Sequence, residues 1–126
     1  MLIELLEALA GWDEIRFVVR NESAIAELCG KPAARRTEEY LTIELSGSPD
    51  HLHVRHSALA RAEVAGGAER NCFVRFFDPA GAPVLTCYVP RTNRAKSDFD
   101  PARRAAFEAL KARCADAPSV TVAAEE

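Results

Sequence analysis

Leu2, Leu5, Leu6 and Leu9 recur at the i, i+3, i+4, i+7 spacing of one helical stripe, and Gly11 stands where such a helix would stop. The spacing predicts a short amphipathic helix at the start of the chain. From Glu14 to Arg20 the period drops to two. Ile15, Phe17 and Val19 alternate with Arg16, Val18 and Arg20, which is the pattern of a strand. Asn21, Glu22 and Ser23 break it, and residues 24–29 continue as a second extended segment that Gly30, Lys31 and Pro32 are expected to turn. Residues 39–45 put Leu41, Ile43 and Leu45 on one face; S-G-S-P-D then supplies turn chemistry, and H-L-H-V-R-H is the next strand.

Residues 71–77 and 84–89 are apolar runs rich in β-branched and aromatic residues, joined by D-P-A-G-A-P, and they predict a hairpin with a longer loop. Asp100 followed by Pro101 is a helix start, with Asp at the N-cap and Pro at the first helical position. Phe107, Leu110 and Cys114 then share a face, so a helix over 101–114 is expected, limited by Pro118. The tail, 115–126, has no long apolar pattern and is expected to be loosely ordered. Together these elements predict an α+β class: an antiparallel sheet flanked by an N-terminal and a C-terminal helix, with residues 1–126 forming a single domain.

Bulk properties narrow the function classes. A net charge of −3 is wrong for a general nucleic-acid binder, which needs excess Lys and Arg to displace phosphate counterions. No stretch reaches the ~20 apolar residues of a spanning helix, so no membrane insertion is expected. Acids lie inside the opening apolar run and no basic flank precedes it, unlike a secretory signal. The four cysteines, Cys29, Cys72, Cys87 and Cys114, are far apart with no Cys-x-x-Cys pair, and read as small core residues of a reducing compartment. A cytoplasmic location follows as the expectation.

All three histidines sit within residues 51–56. If Leu52 and Val54 face the core, alternation sends His51, His53 and Arg55 to the opposite face, where two imidazoles stand close enough to share a ligand. A polar edge of a half-solvated sheet has the same pattern. By the same alternation Tyr88 leaves the core face, with Arg91 just beyond the strand end, a phenol and a guanidinium suited to a carboxylate. A sheet tyrosine and a solvated loop charge read identically. Arg91, Arg94, Lys96, Arg103, Arg104, Lys111 and Arg113 make the last third locally basic, either as an anion-attracting patch or as a solvated helix face. No Gly-rich phosphate loop, G-x-S-x-G or H-E-x-x-H is present, so there is no catalytic set to name.

In order along the chain, V-V-R-N-E-S-A-I-A-E-L-C-G, H-L-H-V-R and V-R-F-F-D-P-A-G-A-P-V-L-T-C-Y-V-P-R-T resemble the bacterial haem-utilisation proteins, the HemS-like and ChuX-like cytoplasmic haem carriers and haemin-degrading proteins. The resemblance runs from about Leu5 to Arg113. It implies a haem carrier or storage protein of intracellular iron utilisation that binds haem on a sheet face as a homodimer. It puts His53 at the iron, with His51 and Arg55 beside it, and Tyr88 and Arg91 near the propionates. Two alternatives stay open: a haem-degrading enzyme of the same fold, and a non-haem dimeric interaction module that kept only the fold.

Overall fold

The computed structural model describes residues 2–66 and 69–123. Helix α1 (Leu2–Leu9) leads into β1 (Ile15–Arg20), β2 (Ile25–Gly30), β3 (Pro32–Arg36), β4 (Tyr40–Leu45) and β5 (His51–Arg55). A 3-10 turn (His56–Ala58) precedes β6 (Arg61–Ala65), the hairpin β7 (Cys72–Phe77) and β8 (Pro83–Val89), helix α2 (Pro101–Cys114) and β9 (Val120–Val122). One sheet has the order β2-β1-β8-β7-β6-β9 and the other β3-β4-β5. The expected α+β class, with helices at both ends of a mainly antiparallel sheet, is what the structure has. One pairing, β6 with β9, is parallel. Residues 120–122 of the tail expected to be loose thus add a strand, and residues 124–126 lie outside the described residues.

The expectation of a reversal at Gly30–Lys31–Pro32 is corrected. Gly30 pairs with Ile15 of β1, Pro32 pairs with Leu45 of β4, and the chain crosses from one sheet into the other still extended. Proline is tolerated here because the first residue of a strand can do without a ladder N–H. Side-chain parity survives the crossing. Leu28, Gly30, Pro32 and Ala34 share one face, opposite Phe17, Ile15, Leu45 and Ile43, while Glu27, Cys29, Ala33 and Arg35 share the other. The two sheets therefore have a common inner face and a common outer face.

The inner face holds the core. Leu5, Leu6 and Leu9 of α1 and Phe107, Leu110 and Cys114 of α2 pack with Ile15, Phe17, Leu41, Ile43, Val74, Phe76, Leu85 and Cys87. Burial of these groups supplies the main folding force. Helix α2 starts as its sequence requires, with the Asp100 carboxylate accepting from the Ala102 and Arg103 N–H groups. Arg103 and Arg104 do not form a solvated face. Both are buried, at 7% and 4% exposure. Arg103 reaches Asp13 at 2.7 Å, Glu14 at 2.9 Å and the Pro90 carbonyl at 3.2 Å, and Arg104 donates to the Thr92 carbonyl at 2.8 Å. They pin α2 to the end of β8. No helix among the described residues is long and apolar enough to cross a membrane.

Candidate functional site

Alternation along β8 turns Leu85, Cys87 and Val89 into the core and sends Val84, Thr86 and Tyr88 outward. Register then builds rows across the outer face: Arg16 (β1), Tyr88 (β8) and Phe73 (β7) in one, and Val18, Thr86 and Arg75 in the next. The Phe73 and Tyr88 rings lie 5.6 Å apart, tilted by 50°. The Arg75 guanidinium sits 4.8 Å above the Phe73 ring while its Nε donates to Thr86 Oγ1 at 3.0 Å, so aromatic and cation are locked together.

These rows floor an open depression of about 410 Å³ lined by Arg16, Val18, Arg20, Glu27, Phe73, Arg75 and Tyr88, with Arg70, Asn71 and Asn93 at its end. Arg16, Arg20 and Arg75 line it against one carboxylate, Glu27, so cationic groups predominate. Arg16, Arg20 and the Tyr88 hydroxyl have no hydrogen-bond or ion-pair partner among the described residues. Those groups are available to a ligand. The combination suits a flat, partly apolar molecule carrying carboxylates.

Arg91 is not among the residues that line the depression. It adopts φ 67° and its Nη2 lies 3.3 Å from Asp100 Oδ2, beside the N-cap of α2. The arginine that stands next to Tyr88 is Arg16 of the neighbouring strand. Its signal was present in the sequence as the outward set Arg16, Val18, Arg20 of a period-two strand, and pairing with β8 gives that set its meaning.

The histidine strand behaves as its alternation requires: Val54 is buried, while His51, His53 and Arg55 are exposed together on the outer face of β5. The His51 and His53 rings are 5.0 Å apart and nearly perpendicular. His53 Nδ1 lies 2.9 Å from Thr42 Oγ1, and His51 Nδ1 lies 3.1 Å from the Pro49 carbonyl. Arg55 is held by the Glu39 carboxylate and the Tyr40 hydroxyl. His56 has left the strand for the 3-10 turn, where its Nε2 meets the Thr37 carbonyl at 3.2 Å.

The structure does not bring the histidines and Tyr88 into one site within a single chain. Arg16, the neighbour of Tyr88, pairs with Cys29, and Thr42, the neighbour of His53, pairs with Arg35. Cys29 belongs to β2 and Arg35 to β3, in different sheets, and no histidine lines the depression beside Tyr88. The outer face thus carries two clusters, a basic aromatic depression and a histidine row.

Residues 2–110 match the haem utilisation ChuX/HutX family. The chain belongs to that family. The structure of the haem-binding protein ChuX superposes with a TM-score of 0.70 at 17% identity, covering 88% of this chain and 70% of that one. A protein from Erwinia carotovora gives 0.67 at 17% identity over 89% and 70%, and one from Agrobacterium tumefaciens 0.66 at 25% over 86% and 63%. No curated protein matches the chain. At such identities these solved structures show a shared fold, and the site must be argued from this chain's own residues.

Proposed function

We propose that the chain binds haem on the outer face of its sheet, as a haem carrier or storage protein of intracellular iron utilisation. The observation that carries this reading is the depression between β1, β7 and β8, where unpartnered Arg16 and Arg20 stand beside the paired, mutually tilted rings of Phe73 and Tyr88. Haem needs three things that these residues offer: cations for its propionates, an apolar and aromatic surface for its macrocycle, and a donor for iron. Arg16 and Arg20 suit the first, the Phe73 ring the second, and the Tyr88 phenol is a competent iron donor. When bound, haem would supply a redox-active, oxygen-reactive iron. The chain's own groups orient it and neutralise its carboxylates.

A second reading keeps the iron at His53, and its support is the Thr42 hydroxyl that steadies the His53 ring from below. Titration of the protein with haemin separates the two. Under the first reading Tyr88→Phe changes the ligation spectrum and Arg16→Ala weakens affinity by roughly ten- to a hundredfold, the worth of a charge-assisted hydrogen bond. His53→Ala then leaves the spectrum intact. The reverse pattern selects His53, and a wild-type protein that stays colourless with haemin refutes haem binding altogether. Turnover of bound haem with a reductant and oxygen, with loss of the Soret band and product formation, would instead make the chain a degrading enzyme.

The volume of about 410 Å³ is at the low end for a pocket that encloses a drug-sized molecule, and it is open on one side. A depression of that kind covers one face of a planar ligand. A second copy of the chain is the cover we propose, which makes the haem-loaded form a homodimer.

A further inference from the structure

With the iron at Tyr88, the reading on which this inference rests, the histidine row has no part in holding haem, and its geometry suits a separate role. We infer that His51 and His53 form a chelating site for a divalent transition-metal ion of the nickel, copper and zinc group.

Both imidazoles are already oriented. A carbonyl oxygen only accepts, so the 3.1 Å contact with Pro49 places the proton of neutral His51 on Nδ1 and the lone pair on Nε2. The Thr42 hydroxyl can accept from His53 Nδ1 at 2.9 Å, with the same result. Hydrogen bonding of one ring nitrogen to a protein oxygen, which leaves the other as the lone-pair donor, is the outer-shell pattern of metal-bound histidine. Thr42 is itself buried at 4% exposure, so the anchor under His53 is rigid. The i, i+2 spacing on a strand brings the rings to 5.0 Å, and both are exposed on the outer face.

Surrounding charge does not oppose a dication. Arg35 is drawn to Glu44 at 3.6 Å and Arg55 to Glu39, which leaves the nearest cations paired. Among the described residues no cluster of three or more His, Cys, Asp and Glu side chains is positioned as a metal site. The protein therefore contributes two nitrogen ligands and water fills the remaining positions. Imidazole donors favour nickel, copper and zinc, and the absence of an oxygen cage excludes calcium and magnesium as occupants.

The test is calorimetric titration of tag-free protein with Ni²⁺, with circular dichroism to confirm that each variant is folded. We expect saturable uptake of one ion per chain, lost in both His51→Ala and His53→Ala. Thr42→Val, which keeps the buried volume, should weaken uptake by roughly tenfold through release of the His53 ring. His56→Ala and Cys29→Ser should change nothing. Absence of uptake by the wild-type protein, or full uptake by either His51→Ala or His53→Ala, overturns the inference. Repeating the titration on haemin-loaded protein keeps this site distinct from the haem reading: undiminished Ni²⁺ uptake supports two separate sites, and displacement of haem by Ni²⁺ assigns His53 to the iron and removes the separate role.

Discussion

Replacing Arg103 tests how helix α2 is fastened. Its side chain is 6% exposed and meets Asp13, Glu14 and the Pro90 carbonyl, groups that the chain brings together from opposite ends. Breaking a fully buried ion pair typically costs about 3–5 kcal/mol. Here the carboxylates are more open than the arginine, with Asp13 at 72% and Glu14 at 36% side-chain exposure, so solvent takes over much of what Asp13 loses. What remains is the Glu14 contact and the Pro90 carbonyl, which is left without its side-chain donor, for about 2 kcal/mol. Arg103→Met, which keeps the aliphatic stem, should therefore lose about 2 kcal/mol, and Arg103→Ala about 1 kcal/mol more from lost packing.

Urea unfolding followed by fluorescence is a suitable assay, because the single tryptophan, Trp12, precedes Asp13 and is packed against the core. For a chain of this size the Arg103→Met loss corresponds to a Tm lower by about 8 °C. Asp13→Asn should cost less than about 0.5 kcal/mol, as an exposed partner does. If Arg103→Met unfolds within about 0.5 kcal/mol of wild type, or Asp13→Asn costs as much as Arg103→Met, the reasoning fails at the step that assigns the energy to the buried end of the network.

Asp100 should give pH-dependent stability. Accepting the Arg103 N–H, with help from Arg91 and the Ala102 N–H, holds its carboxyl below the ordinary value of 3.8. A depressed folded-state value makes the contribution complete above the unfolded pKa and lost as pH falls through the folded one. The stability gap between wild type and Asp100→Ala, measured by urea unfolding across an acid series, should be at full width at neutral pH and narrow only as the pH falls through and below the ordinary carboxyl value of 3.8. Gly66→Ala should lose about 1–3 kcal/mol in the same assay, because its Cβ would lie 2.9 Å from Cys72 Cα and 3.0 Å from Cys72 Sγ and backbone must move. An aromatic disulfide reagent should find one fast thiol, Cys29, which is exposed, while buried Cys87, whose pKa is pushed up by desolvation, reacts only on unfolding.

Legibility in the sequence followed the range of the physics involved. The leucine stripe of α1, the Asp100–Pro101 start of α2 and the alternation of β5 and β8 are local, and each can be read off the chain. The crossing at Gly30–Pro32 is not, because Gly and Pro are also turn residues and only pairing with β1 on one side and β4 on the other distinguishes a bend from a reversal. Strand β9 depends on where α2 returns the chain. Arg103 looked like part of a solvated basic face because its acidic partners lie in the Asp13–Glu14 turn at the other end of the chain. The site divides in the same way. That His51 and His53 share an exposed face is a local fact, whereas Arg16 joins Tyr88 only through strand pairing.

Charge on the outer face bears on assembly. The depression presents Arg16, Arg20 and Arg75 against one carboxylate, Glu27, so a two-fold pairing of this face with its copy would set like charges opposite each other. Such repulsion disfavours a dimer without ligand. A dianionic ligand between the two faces reverses the sign of the interaction, since each propionate can be shared with a guanidinium. The proposed homodimer should therefore be ligand-dependent: sedimentation at tens of micromolar should show mainly monomer without haemin and dimer with it, and Arg16→Glu should blunt the response. Salt should weaken the loaded dimer, because these arginines are exposed enough for screening to reach them. A dimer equally tight with and without haemin would place the interface elsewhere, most simply at the open edge of β5, where an exposed ladder of N–H and C=O groups can accept a second strand.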